Sequence, residues 1–347
     1  MGLFSFLNRK ESRSWSELIV QNKETLAEDF IVLTLEKETG SSFDASFIPG
    51  QYVTLEINNN DEIVRRSYSI CGKTPTGFKI GVKKIAGGKM STYLHTQTQL
   101  GDKLKVHLAE GNFVLNGEQT VVAFVAGSGI TPLISMLEAH ADKKNFYVFY
   151  NTKKLSDLIF HEELKSSKAT VYLSQETVEG YKSGRLDYEA LMEELKENLA
   201  LLQSDAYLLC GPEGFMAEIE RCLLFFGVPE GKIRKEYFIA PSVSSNDAPM
   251  VPSIQGSSLT VELDGQVHTL NVGSKKKTIL EIVEGEKLDP PYSCRGGVCS
   301  SCKAKIITGT ATMRQNFTLS DKEVNEGYIL TCQAEITSEE IRISFDA

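Results

Sequence analysis

The stretch Cys294-Arg-Gly-Gly-Val-Cys-Ser-Ser-Cys302, with a further cysteine at 332, decides how the rest of the chain is read. A C-x4-C-x2-C loop followed about thirty residues later by a solitary cysteine is the spacing of a [2Fe–2S] site. Two bridged irons need four thiolates around an anionic centre, and three of them come from one tight loop. Arg295, Gly296, Gly297, Ser300 and Ser301 fill the gaps with small or basic residues, so that backbone N–H groups can approach the sulfurs. The competing reading is a four-cysteine zinc site. Such sites usually present two C-x2-C pairs, whereas Cys332 stands alone. Cys294, Cys299, Cys302 and Cys332 all lie in the last sixth of a chain with seven cysteines, which points to ligation rather than a disulfide framework. Cys71 and Cys222 read as buried small hydrophobes.

Working outward, residues 258–347 are expected to form an α+β domain around this loop. Leu259–Leu263 and Gln266–Val272 flank Asp264-Gly265, a strong short-range hairpin signal, and a helix-like Thr278–Glu284 leads into the cysteines. Upstream, residues 241–257 contain three prolines and many small polar residues without a period, which reads as a linker. From 116 to 240, apolar strands at Thr120–Ala126, Asn145–Tyr150, Ala169–Leu173 and Ala206–Cys210 alternate with helices. One helix places Tyr188, Leu191, Met192, Leu195 and Leu199 on one face behind an Asp187 cap. This alternation predicts a parallel sheet with ligands at the carboxyl ends of its strands. Residues 15–115 alternate apolar and polar in short runs broken by Pro-Gly and Thr-Pro-Thr-Gly turns, the pattern of an antiparallel β-barrel. Residues 1–14 are an N-terminal tail.

Two groups of motifs fall on these elements. In the barrel, Arg66-Ser67-Tyr68-Ser69 is placed at a strand end, where an aromatic ring can pack on a planar ligand and a guanidinium can answer a pyrophosphate. Gly87-Gly88-Lys89-Met90-Ser91 then reads as a glycine turn opening a helix, whose N-terminus is a phosphate site. In the sheet domain, Gly127-Ser128-Gly129-Ile130-Thr131-Pro132 follows an apolar strand and opens a helix. It is a βα turn whose glycines admit a pyrophosphate, although it lacks the G-x-G-x-x-G fingerprint. Cys210-Gly211-Pro212 repeats the arrangement at a later strand end, four residues before Met216.

Taken together, these pieces resemble the ferredoxin–NADP reductase family. The resemblance implies that Arg66, Ser67, Tyr68, Ser69, Val82, Gly87, Gly88, Met90 and Ser91 bind flavin. It implies that Gly127, Ser128, Gly129, Thr131, Pro132, Ser174, Gln175, Cys210, Gly211, Pro212 and Met216 bind NAD(P)H. Ser69, Cys210 and Phe238 would lie beside nicotinamide and flavin, with the Glu236-Tyr237-Phe238 segment closing the nucleotide domain near the flavin and no residue assigned to proton transfer. Gly88 and Ser91 are separated in the FAD style rather than adjacent as in FMN-using relatives. The order barrel, nucleotide domain, ferredoxin domain resembles reductases of phenylacetyl-CoA epoxidases, used in phenylacetate degradation, and less closely those of hybrid-cluster proteins. The implied function is electron transfer from NADH or NADPH through FAD and a [2Fe–2S] cluster to a protein acceptor, an oxygenase component. The alternatives are the reductase of a hybrid-cluster protein or of a Rieske-type oxygenase, and a redox sensor without an enzyme partner.

Composition narrows the partners. The 347 residues suffice for two or three domains. A formal charge of −9 argues against nucleic acid or an anionic membrane surface. The start Met1-Gly-Leu-Phe-Ser-Phe-Leu7 has no charged region before its short apolar patch, and no run approaches the ~20 apolar residues of a membrane span, so a cytoplasmic protein is expected. The five histidines show no metal spacing, and Lys275-Lys-Lys277 reads as a solvated run.

Overall fold

A computed structural model describes residues 15–59, 62–241, 256–273 and 277–347. The N-terminal tail, most of the expected linker and two of the three lysines at 275–277 lie outside the described residues. Two compact units are present, one from Glu17 to the region of Pro241 and one reaching from Gly256 to the C-terminus.

The first unit opens with strands β1 (Ser16–Ala27), β2 (Phe30–Glu36), β3 (Tyr52–Asn59), β4 (Glu62–Lys73), β5 (Gly77–Lys83) and β6 (Lys103–Val106), closed into an antiparallel barrel in the order β1-β2-β5-β4-β3-β6. Period-two alternation sends Leu33 and Leu35, Val53 and Leu55, and Ile80 and Val82 into one barrel core. Helix α1 (Lys89–Thr96) follows β5 and adds Met90 and Leu94 to that core.

The six remaining strands of this unit are β7 (Thr120–Ala126), β8 (Asn145–Thr152), β9 (Lys168–Leu173), β10 (Lys182–Ser183), β11 (Ala206–Cys210) and β12 (Ile233–Glu236). They form a wholly parallel sheet in the order β10-β9-β8-β7-β11-β12. Strand β7 is apolar on both faces because both are covered. Val121, Ala123 and Val125 face helix α2 (Thr131–His140) and the barrel residues Phe30, Val32 and Cys71. Val122 and Phe124 face helices α4 (Tyr188–Glu197) and α5 (Glu213–Phe225) on the other side, and a short α3 (His161–Leu164) sits between β8 and β9. Asp187 caps α4 by accepting from the Ala190 N–H, and Leu191 and Leu195 are buried as expected. Leu199 is a correction to the expected apolar face. The helix stops at Glu197, Asn198 leaves helical geometry, and Leu199 is 60% exposed.

Barrel and sheet share a core, with the Phe30 ring edge-on to Phe160 at 5.8 Å. Hydrogen bonds also join them: the Gly50 N–H donates to Ser135 Oγ (2.9 Å) and the Lys73 N–H to Glu138 Oε2 (3.0 Å).

The C-terminal unit has a five-stranded mixed sheet, β14-β13-β19-β15-β17, and a two-stranded β16-β18. Its elements are β13 (Ser258–Leu263), β14 (Gln266–Asn271), α6 (Ile279–Gly285), β15 (Lys303–Thr308), β16 (Ala311–Met313), α7 (Asp321–Asn325), β17 (Tyr328–Leu330), β18 (Ala334–Ile336) and β19 (Glu340–Ser344). Parallel β13 and β19 at the centre, antiparallel neighbours and a crossing helix make a β-grasp. Asp264 (φ 53°) and Gly265 (φ 73°) both take the left-handed values that a two-residue hairpin turn requires. Thr278 and Glu281 cap α6 reciprocally.

One glycine fixes the layout of the first unit. A Cβ on Gly129 would stand 2.2 Å from the carbonyl oxygen of Cys210, so the turn after β7 rests directly on the backbone at the end of β11. Gly129→Ala should therefore lower the melting temperature of the first unit, at a cost on the order of 1–3 kcal/mol, and leave the unfolding of the C-terminal unit unchanged. Calorimetry showing the first transition unmoved would contradict this packing.

Candidate functional site

The four expected cluster ligands come together in the C-terminal unit as two pairs. Cys294 and Cys299 lie with their sulfurs 3.0 Å apart, and the Cys302 thiol is hydrogen-bonded to Cys332. Three ligands sit on the loop between α6 and β15, and Cys332 follows β17. Within each pair one thiol donates to the other. Cys294 is thereby drawn down to about 5, helped by backbone N–H groups of Gly296, Val298 and Cys299, while Cys299 is pushed well up. Cys302 likewise keeps its proton and Cys332 is lowered. Two pairs of sulfurs fit a two-iron centre, in which each pair would hold one iron. The residues present fit the cluster.

On the barrel, the structure revises the expected placement of Arg66-Ser67-Tyr68-Ser69. These residues lie in the middle of β4, paired with Leu55-Thr54-Val53-Tyr52 of β3, rather than at a strand end. Arg66 is exposed and, among the described residues, donates to the neighbouring Arg65 carbonyl, a contact that leaves its charge available for an anion. Tyr68 packs partly on the barrel core, and burial pushes its phenol above the ordinary range, so it stays neutral. Ser67 Oγ lies 3.2 Å from Thr54 Oγ1, and Ser69 is buried. Gly87 (φ 72°) and Gly88 form the turn into α1, whose first-turn amides lack intrahelical partners. The Ser91 hydroxyl accepts from the Ile85 N–H (3.1 Å) and so closes that turn from inside. Val82 and Met90 are core residues. Their side chains are turned into the barrel, which leaves only their backbone for a ligand.

In the sheet, strand order reverses between β8 and β11 on either side of β7, so β7 and β11 define the crevice at their carboxyl ends. Both glycine turns stand there: the 3₁₀ turn Gly127–Ile130 after β7 and Gly211-Pro212 after β11. Thr131 Oγ1 donates to the Ser128 carbonyl (2.9 Å), and Thr131 and Pro132 are buried at the head of α2. Met216 belongs to the core between α5 and the sheet and does not reach the crevice. Ser174 and Gln175 lie apart from these turns, past β9, where their N–H groups donate to Thr152 and Lys153 carbonyls. The next residue, Glu176, accepts from the Leu155 N–H (2.6 Å) through Oε2.

Glu236, the first residue of the Glu-Tyr-Phe segment at 236–238, sits beside Cys210 in the β11–β12 register, with Oε2 4.0 Å from the Cys210 sulfur. Among the described residues no cation offsets its charge. Burial pushes its carboxyl up to about 8, and burial together with Glu236 pushes the Cys210 thiol well up. The end of β11 therefore holds two neutral, protonated groups. Two residues on, Phe238 is 46% exposed. An exposed aromatic next to a switch-point crevice, with exposed Arg66 and the open amides of α1 on the barrel, fits a flat, anionic dinucleotide ligand such as FAD. Glu236 opens the Glu236-Tyr237-Phe238 segment that the family resemblance sets near the flavin; its pairing with Cys210 comes from the β11–β12 register and carries no signal in the sequence.

Three family models match the chain in order. These are an oxidoreductase FAD-binding domain over 17–115, an oxidoreductase NAD-binding domain over 124–221 and a 2Fe-2S iron-sulfur cluster binding domain over 261–337. The chain is 30% identical, over 93% of its own length and 94% of the other's, to the ferredoxin reductase component of 3-ketosteroid-9-alpha-monooxygenase from Rhodococcus rhodochrous. It is 28% identical, over 96% and 98%, to one of the subunits of 1,2-phenylacetyl-CoA epoxidase from Escherichia coli strain K12. The solved structure of phthalate dioxygenase reductase shares the fold, with a TM-score of 0.60 at 22% identity over 95% of this chain and 98% of that one.

Protonated Glu236 has a consequence for stability. In the unfolded chain its carboxyl ionises near an ordinary ~4.3, whereas in the folded protein it keeps its proton up to about 8. Between those values the unfolded state binds fewer protons, so stability falls as pH rises, by at most ~1.4 kcal/mol per pH unit. Below the unfolded value both states are protonated and the contribution vanishes. Glu236→Gln should accordingly gain stability over the parent progressively from about pH 5 to about pH 8, read from denaturant midpoints. A gain independent of pH would show that Glu236 is ionised in the folded protein.

Proposed function

Because the chain belongs to the ferredoxin reductase-like flavoproteins that carry a C-terminal [2Fe–2S] domain, we propose that it serves an oxygenase of the phenylacetyl-CoA epoxidase type. The chain is an NAD(P)H-dependent oxidoreductase that delivers electrons through FAD and a [2Fe–2S] cluster to an oxygenase partner. The observation that carries the choice of oxygenase is the end-to-end likeness to the Escherichia coli epoxidase component, 98% of which is matched. Its test is reconstitution with the purified oxygenase component of a phenylacetyl-CoA epoxidase: NADH consumption coupled to epoxide formation is the expected result, and uncoupled oxidation alone contradicts it. Dependence on reduced thiols and on a nicotinamide reductant suits a cytoplasmic setting.

When bound, FAD takes the two electrons of a hydride and yields them singly, and the cluster carries one at a time. In this reading the chain's own residues bind, orient and shield. Arg66 would answer the FAD pyrophosphate, and Tyr68 would offer its ring to the flavin. The two turns at the switch point, Gly127–Gly129 and Cys210–Pro212, present backbone amides to NAD(P)H. Neutral Cys210 and Glu236 keep the hydride-transfer region uncharged, and no side chain has to move a proton for the transfer.

The nucleotide preference follows from Ser174-Gln175-Glu176. Gln175 brings no positive charge, and the Leu155 N–H pins the Glu176 carboxylate across the ends of β8 and β9, where it opposes a 2′-phosphate. Exposed Lys153, Lys154 and Arg185 act the other way. NADH should be preferred by no more than about tenfold in kcat/KM, or ~1.4 kcal/mol. Measurement of both nucleotides at one ionic strength decides it, and a hundredfold preference for NADPH would overturn the reading. Separately, Cys302→Ser should retain NADH–ferricyanide activity and lose reduction of the oxygenase component. Equal loss of both would show that the flavin and cluster modules do not act in series.

A further inference from the structure

Beyond the four cysteines, a buried polar side chain reaches a ligand sulfur. Gln333, only 6% exposed, follows Cys332, and its Nε2 donates to Cys332 Sγ (3.7 Å) and to the Arg295 carbonyl (2.8 Å). The amide thus ties the ligand after β17 to the loop that carries the other three. Its backbone is held at both ends, with its N–H donating to the Leu330 carbonyl and its carbonyl accepting from the Arg314 N–H, each at 2.9 Å. Arg295, at the far end of the bridge, has a left-handed backbone (φ 54°), a conformation that is costly for a residue with a long side chain. Three contacts stabilise it: the Gln333 amide, the Glu284 carboxylate paired with its guanidinium (2.9 and 2.5 Å), and the Tyr292 ring stacked at 4.1 Å. The position of the Gln333 donor is therefore fixed from both sides.

A neutral donor aimed at a thiolate ligand matters most for redox balance. Reduction adds negative charge to an already anionic centre, and a hydrogen bond to one of its sulfurs offsets part of that charge. We propose that Gln333 is a positioning residue that raises the reduction potential of the cluster by hydrogen bonding to Cys332. The assignment rests on Cys332 being a ligand. Gln315 is the internal control: it braces the same loop by donating to the Gly296 carbonyl (3.0 Å), and among the described residues it makes no hydrogen bond to a sulfur.

The test compares the full-length holoprotein with Gln333→Leu and Gln315→Leu in potentiometric titrations monitored by EPR. Iron and labile sulfide are measured first, which checks the ligand assignment separately: a parent protein without both refutes that assignment and not the role of Gln333. In Gln333→Leu the equilibrium constant for one-electron reduction should fall about threefold to tenfold, a midpoint lower by up to about 59 mV, with an altered EPR line shape. Gln315→Leu should keep the parental midpoint. If Gln333→Leu does not retain its iron, Gln333→Met, which fills the same space without a donor, carries the same expectation. A parental midpoint in the Gln333 variant, or an equal shift in Gln315→Leu, overturns the proposal.

Discussion

The contact of Gly129 with the Cys210 backbone is the constraint on which the arrangement of the first unit depends. Strand order reverses around β7, so its turn and the turn after β11 would diverge into opposite layers unless something held them together. A backbone resting on a backbone, with no side chain between, holds them at the closest distance the chain permits. Helix α2 starts from that turn and also forms the face on which the barrel packs, through Ser135, Glu138 and the apolar residues shared with Phe30 and Cys71. The nucleotide crevice and the docking of the barrel are thus set by one piece of backbone, on rigid elements rather than long loops.

The two units solve opposite electrostatic problems. At the end of β11, buried Cys210 and half-buried Glu236 have no cation beside them among the described residues and keep their protons, so the region beside the proposed flavin stays neutral. In the C-terminal unit one thiol of each pair, Cys294 and Cys332, is drawn toward ionisation by the neighbouring thiol and by backbone N–H donors, while Cys299 and Cys302 keep their protons. Neighbouring polar groups there serve the sulfurs directly, whereas in the first unit they serve the backbone: the Ser91 and Thr131 hydroxyls both close turns.

Much of this was legible in the residues because it depends on spacing and period. The Asp264-Gly265 hairpin, the Asp187 cap and the buried alternation of β7 need only local rules, and so does the gathering of the cysteines into one domain. Distances across the fold were not legible. Val82, Met90 and Met216 lie next to motifs in sequence yet point into cores, because a strand or helix turns every second or third side chain away from its ligand face. Arg66 falls inside a strand because β4 continues to Lys73. Gly129 was expected to make room for a pyrophosphate, and the structure shows that it first makes room for β11. Gln333 carries no motif, and the Glu236-Tyr237-Phe238 segment does not reveal that Glu236 stands against Cys210; these contacts come from a hydrogen bond to a sulfur and from a strand register.

The account requires a flavin and a one-electron cluster in series within one chain. Anaerobic titration of the purified holoprotein with NADH, followed by absorbance and EPR, counts the electrons directly. Two electrons on the flavin and one on the cluster predict full reduction at about one and a half equivalents of NADH, with the cluster's EPR signal appearing alongside flavin bleaching. Saturation at about one equivalent, with the iron still oxidised, would contradict it.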